Sequence, residues 1–117
     1  MENCVFCKIV KKEIPADILF ENEQVIAFRD IHPQAPVHIL IIPKKHVKSV
    51  TEITSADTLL MGEIIAAAKK IADDLHISKK GYKLLFRVGE YGGQEVEHIH
   101  LHLIGGAKLT ENIGPVE

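Results

Sequence analysis

The sequence predicts an α+β fold, a mostly antiparallel sheet with helices packed against it. Three observations lead there. Short β-rich segments recur at 17–22, 25–31, 37–42, 82–88 and 95–104. One long stretch, 55–75, repeats its apolar residues with helical spacing. Few of the strand pairs leave room for the crossover helix that a parallel sheet requires.

Each element has its own local reason. Residues 4–12 read as a short helix capped by Asn3, with Pro15 beyond its end. "DILFEN" and "VIAFRDI" read as two strands around the turn-rich "ENEQ". "HPQAP" holds two prolines and must be a loop. "VHILII" is apolar on both faces, as a central strand should be, and "PKKHVKS" leaves it as a basic loop. In the helix, Leu60, Ile64, Ala68, Ile71 and Leu75 share one face, and Thr54 with Asp57 fits a capping box at its start. "YKLLFRV" is a strand, "GEYGG" a glycine-rich turn and "EVEHIHLHLI" the last strand.

The chain has 117 residues, and one domain over 1–117 is expected. At this size a core forms without disulfide staples. The formal charge of -2 argues against a nucleic-acid-binding surface, and no apolar run is long enough for a bilayer. "MENCVFCKIV" lacks the pattern of a secretory signal, so a cytoplasmic location is expected. Cys4 and Cys7 are then thiols or metal ligands rather than a structural disulfide. Their C-x-x-C spacing fits a redox pair, half of a metal site, or two small residues at a helix start.

"HIHLHLI" at 98–104 carries the chemistry. On a strand His98, His100 and His102 share one face, while Ile99, Leu101 and Leu103 share the other. The apolar face belongs to the core, and the imidazole face must meet water, a ligand or polar groups. Three histidines in strict alternation beside a glycine-rich turn point to a reaction site or a metal site. They span roughly 13 Å, so one metal cannot easily take all three. A histidine that attacks phosphorus needs one bare ring nitrogen, a fixed acceptor for the other, and donors for the non-bridging oxygens. A second imidazole and N–H groups of "GEYGGQ" are candidate donors.

His-φ-His-φ-His-φ-φ, with φ apolar, is the pattern of the histidine triad (HIT) family of nucleotide hydrolases and transferases, and "HIHLHLI" fits it fully. Residues 4–47 and 92–106 resemble its Hint-type, nucleoside phosphoramidase-like branch. That resemblance implies a five-stranded antiparallel sheet per subunit with one long and one short helix, the sheets of a homodimer joining across the interface. The expected dimer surfaces are the helix at 55–75 and the strand at 82–88. It implies purine nucleoside monophosphate ligands and hydrolysis of 5'-phosphoramidates through a nucleotidyl-histidine intermediate.

Carried onto this sequence, the resemblance makes His100 the nucleophile and His102 a phosphate contact. His38 becomes the histidine behind the site, and His98 completes the catalytic row. Gln94 and Gly93 would lie near the phosphate or leaving group, and Asp30 would bind the ribose hydroxyls. Phe6, Ile9, Phe28 and Ile31 would wall the base pocket. Without the resemblance, Asp30 reads as a turn-capping residue, Phe6, Phe28 and Ile31 as core, and His38 as a hydrogen-bonded core histidine. Some bacterial members hold zinc with two cysteines and two histidines. Cys4, Cys7, His46 and His98 would form such a structural site here, with no metal needed for catalysis.

The sequence departs from the pattern in places. Glu95 stands where several members have a serine that serves the leaving group, Arg87 where asparagine is common, and His32 where serine is common. Two other readings compete with the hydrolase: a nucleotide sensor or scaffold with incidental turnover, and a metal-dependent hydrolase using a His-x-His pair. The absence of a nearby acidic pair disfavours the last.

Overall fold

The computed structural model describes residues 3–116. A short helix, α1 (Val5–Val10), is followed by strands β1 (Ile18–Glu21), β2 (Val25–Arg29) and β3 (Val37–Pro43). The long helix α2 (Thr58–Asp74), strand β4 (Lys83–Phe86) and strand β5 (Leu101–Gly105) complete the fold. The strands form one five-stranded sheet in the order β1-β2-β3-β5-β4, with every neighbouring pair antiparallel. β5 is inserted between β3 and β4, so the β3–α2–β4 connection crosses over one strand rather than pairing its ends.

The two-residue period of the strands sorts their side chains to two faces. Val25, Ala27, Ile39, Ile41, Leu101 and Leu103 face α2, whose Leu60, Ile64, Ala68 and Ile71 close the larger core. Ile26, Phe28, Leu40 and Ile42 face the other way and pack with Phe6 and Ile9 of α1. This is why "VHILII" is apolar at nearly every position: both faces are covered. His38 and His102 have the parity of the α1 side, so that face carries the polar chemistry.

The helix start at Thr54 is as the sequence predicts. Asp57 Oδ2 accepts from the Thr54 backbone N–H at 3.0 Å, and Thr54 Oγ1 accepts from the Ala56 N–H at 3.2 Å. The box caps a 3-10 turn, Ser55–Asp57, which leads directly into α2.

Two expectations are corrected. The cap of α1 is Cys4 rather than Asn3: its sulfur accepts from the Cys7 N–H at 3.3 Å. The last strand begins at Leu101, not at 95. Before Leu101 the chain leaves the ladder with β4, and the Ile99 N–H instead donates to the Val47 carbonyl at 2.7 Å. His98 and His100 therefore precede the regular strand.

Candidate active site

His38, His100 and His102 converge on the α1 side of the sheet. All are buried: His38 is 3% exposed, His100 7% and His102 6%. Their hydrogen bonds fix the tautomer of each ring. The Gln34 backbone N–H donates to His38 Nδ1 at 3.1 Å, so His38 carries its proton on Nε2. His38 Nε2 lies 2.9 Å from His102 Nδ1 and donates to it. His102 is thereby protonated on Nε2, and that buried atom has no partner among the described residues. An orphaned buried donor costs about 1–3 kcal/mol, a debt that a ligand oxygen would cancel. In His100, Nδ1 donates to the His98 carbonyl at 2.8 Å, which leaves Nε2 with a free lone pair. One ring thus offers a nucleophilic nitrogen beside another ring that offers a donor, their centroids 4.9 Å apart.

Burial keeps these rings neutral. It pushes the His102 pKa down to about 4, helped by neighbouring His100 and His38, and it lowers His38 and His100 as well. The Arg87 charge pushes all three in the same direction, while Asp30 opposes it.

His100 and His102 open onto a cleft of about 290 Å³. This is near the lower end for small-molecule sites. Phe6, Ile9, Phe28 and Leu40 form its apolar wall, and Asp30, Ile31, His32 and Glu95 its polar or exposed rim. Phe6 packs edge-on against Phe28 at 5.4 Å and against His100 at 5.1 Å. Phe6, Ile9 and Phe28 are therefore core and pocket wall at once. Asp30 also does two things. Its Oδ1 caps the turn by accepting from the His32 N–H at 2.8 Å, and its Oδ2 lies 3.4 Å from His38 Nε2.

Gly93 and Gln94 lie in a turn closed by its own hydrogen bonds. The Gln94 carboxamide donates to the Lys48 and Val96 carbonyls and accepts from the Gly89 N–H. The N–H groups of Gly93 and Gln94 bond to Glu90 and Gly89 within the turn. The glycine turn is thus tied to itself. Gly93 has φ +80 and lies against the Arg87 side chain, and a Cβ on Gly92 would collide with the Val88 backbone. Leu40, Ile14, Ala16 and Val96 line the cleft but were not singled out from the sequence. Leu40 was legible, being two residues from His38 on one strand. Gln34, which fixes the tautomer of His38, left no signal.

His98 turns away from the cleft. Its Nε2 donates to the Pro43 carbonyl at 2.8 Å, so the lone pair is on Nδ1. That atom lies 3.4 Å from Cys4 Sγ and 3.5 Å from Cys7 Sγ, and Cys7 Sγ lies 3.2 Å from His46 Nδ1. The four ligand atoms are all within 4.8 Å of one another. Zn–S bonds of about 2.3 Å and Zn–N bonds of about 2.0–2.1 Å give tetrahedral S–N edges of about 3.5 Å. Cys4, Cys7, His46 and His98 therefore fit a closed tetrahedral metal site. His98 acts on the cleft through its carbonyl, which accepts from His100 Nδ1.

The HIT domain profile matches residues 11–109. A purine nucleoside phosphoramidase of Escherichia coli K12 is 45% identical over 108 residues, covering 92% of this chain and 91% of that protein. A crystal structure of a HIT family hydrolase from Legionella pneumophila superposes with a TM-score of 0.93 at 51% identity, covering 96% of this chain and all of that one. A histidine triad protein of Clostridium difficile gives the same TM-score at 37% identity, covering 97% and 98%. With the domain profile over most of its length and a 45% identical relative, this chain belongs to the HIT family.

Proposed function

We propose that this HIT family hydrolase cleaves purine nucleoside 5'-phosphoramidates and related nucleotidyl compounds, with His100 as the nucleophile. The observation that carries the reading is the chain of fixed tautomers. It leaves a lone pair on His100 Nε2 and an unpartnered N–H on His102 Nε2, both at the cleft. The name of the Escherichia coli relative supports the substrate class.

In the mechanism, the base lies against Phe6, Ile9 and Phe28, and the Asp30 carboxylate accepts from the ribose hydroxyls. His100 Nε2 attacks phosphorus, the P–N bond to the leaving amine breaks, and the amine takes up a proton. Glu95 lines the cleft at its exposed rim, where solvent supplies that proton. The His102 N–H meets a non-bridging oxygen as charge redistributes, and the Arg87 charge favours the same anion. Water then attacks the nucleotidyl-histidine, frees the nucleoside monophosphate and restores His100.

Cys4, Cys7, His46 and His98 are assigned to a zinc ion with a structural role. Burial pushes the Cys7 thiol up, so a dication is what would hold both sulfurs as thiolates. Its ligand set closed by protein, this ion would contribute folding energy and no catalytic step. Two unpaired thiols also suit a cytoplasmic location. Among the described residues no helix is long and apolar enough to cross a membrane.

A homodimer is part of the proposal. β4 is an open edge of the sheet, and Leu59 and Ile65 on α2 are 86% and 50% exposed. The experiment that tests the function is turnover of adenosine 5'-phosphoramidate. The parent should release adenosine 5'-monophosphate and ammonia, and His100→Ala should not, while still binding the monophosphate. A parent no faster than His100→Ala would favour a nucleotide sensor instead.

A further inference from the structure

We propose that Cys4, Cys7 and His46 are positioning residues for nucleotide recognition, so that metal and nucleotide bind with positive coupling through α1. The inference rests on the nucleotide and metal readings above. It adds an energetic link between two sites that are otherwise separate.

The link is the small size of α1 and the way its residues divide. A helix of six residues, Val5–Val10, cannot hold itself in water. Among the described residues its backbone hydrogen bonds all stay within 4–13. None reaches the sheet. Side chains alone attach it. Cys4, at the cap, and Cys7 face His46 and His98. Phe6 and Ile9 face Phe28 and Leu40 and form the cleft wall. Metal ligands and base wall therefore alternate along one and a half turns of the same helix. Phe6 joins them directly, edge-on to His98 at 6.0 Å and to His100 at 5.1 Å.

A ligand on either side must order α1. Whichever binds first meets that conformational cost, and the second then binds an ordered wall. Without metal, the two sulfurs and two imidazoles lose the ion that draws them together, and α1 is held by the weaker Cys–His contacts and by apolar packing, chiefly of Phe6 and Ile9. Nucleotide binding should then weaken about tenfold, within the usual 5–150-fold range of such couplings. By reciprocity, nucleotide must tighten metal binding by the same factor.

The probes are zinc and adenosine 5'-monophosphate, which is not turned over. Nucleotide affinity is measured by calorimetry on the zinc-loaded full chain, on chelator-treated protein, and on the same sample after zinc is restored. The expected result is a roughly tenfold loss that zinc reverses. Since stripped protein can unfold, the reciprocal experiment uses loaded protein only. Zinc is competed away by a chromophoric chelator with and without saturating nucleotide, and nucleotide should raise the zinc affinity by the matching factor. In Phe6→Ala, which breaks the link but leaves the four ligands, saturating nucleotide should leave zinc affinity unchanged. Amide exchange at 5–10 should slow when either ligand is added. An unchanged zinc affinity in the presence of bound nucleotide overturns the coupling and leaves the nucleotide reading standing. So does a chain that takes up no zinc. Failure to bind the monophosphate in any state overturns both.

Discussion

His38→Leu tests the tautomer chain at its hinge. His38 is 3% exposed and does not line the cleft, so its effect passes through His102, 2.9 Å from its Nε2, or Asp30, 3.4 Å away. Leucine removes the acceptor of the Gln34 N–H and the donor that sits 2.9 Å from His102 Nδ1. His102 is then free to carry its proton on Nδ1, which would turn a lone pair toward the phosphate where a donor is needed. Loss of one preorganised donor to a developing anion lowers kcat by about 10²–10³-fold, or about 2.7–4 kcal/mol. Orphaning the buried His102 Nδ1 adds a stability loss of about 1–3 kcal/mol. The assay is steady-state release of adenosine 5'-monophosphate from the phosphoramidate at neutral pH, with a thermal melt to show that the variant is folded. A double-mutant cycle isolates the route. In a His102→Ala background, His38→Leu should slow turnover little further, because the partner it acts through is gone. A folded His38→Leu enzyme within about threefold of the parent would refute the donor role, since it falls far short of the loss expected. Additive losses in the double variant would show that His38 acts by another route.

Further outcomes follow from the same geometry. Asp30→Asn should raise KM by about tenfold or more with a smaller change in kcat, because a hydrogen bond to a charged group contributes about 1.5–3 kcal/mol; an unchanged KM would remove Asp30 from ribose recognition. His102 has a folded pKa of about 4 against an ordinary 6.5. The unfolded chain therefore binds more protons between those values, and stability present above pH 6.5 is lost as pH falls toward 4. Melting temperatures over that range should fall less steeply in His102→Asn, and equal slopes would contradict the burial argument. Stripping zinc should lower the melting temperature while turnover per folded molecule at saturating substrate persists, with KM raised; loss of kcat in parallel with the metal would mean that the ion takes part in the chemistry. A monomeric mass at micromolar concentration would sink the homodimer.

Much of this was legible because strand periodicity is strict. Ile39, Leu40, Ile41 and Ile42 alternate between two covered faces, and that parity places His38 and His102 on one side. The Thr54–Asp57 box was readable because capping is a local hydrogen-bond pattern. Two things were not readable. The last strand starts at Leu101 because residues before it find other backbone partners, such as Val47, far away in sequence. His98 turns its ring to Cys4 and Cys7, as the resemblance implied, although its spacing from His100 matches that of His102. The Gln94 carboxamide reaches across to the Lys48 carbonyl, which no local pattern announces.

The central claim is that His100 Nε2 forms a covalent bond to phosphorus. Rapid mixing with adenosine 5'-phosphoramidate, an alkaline quench that preserves the acid-labile P–N bond, and peptide mass spectrometry test it directly. The account predicts one adenylyl group on the peptide containing residues 97–106, with fragmentation locating it on His100 and no adduct in His100→Ala. Turnover with no adduct at any quench time, or an adduct on His102 or His98, would contradict it.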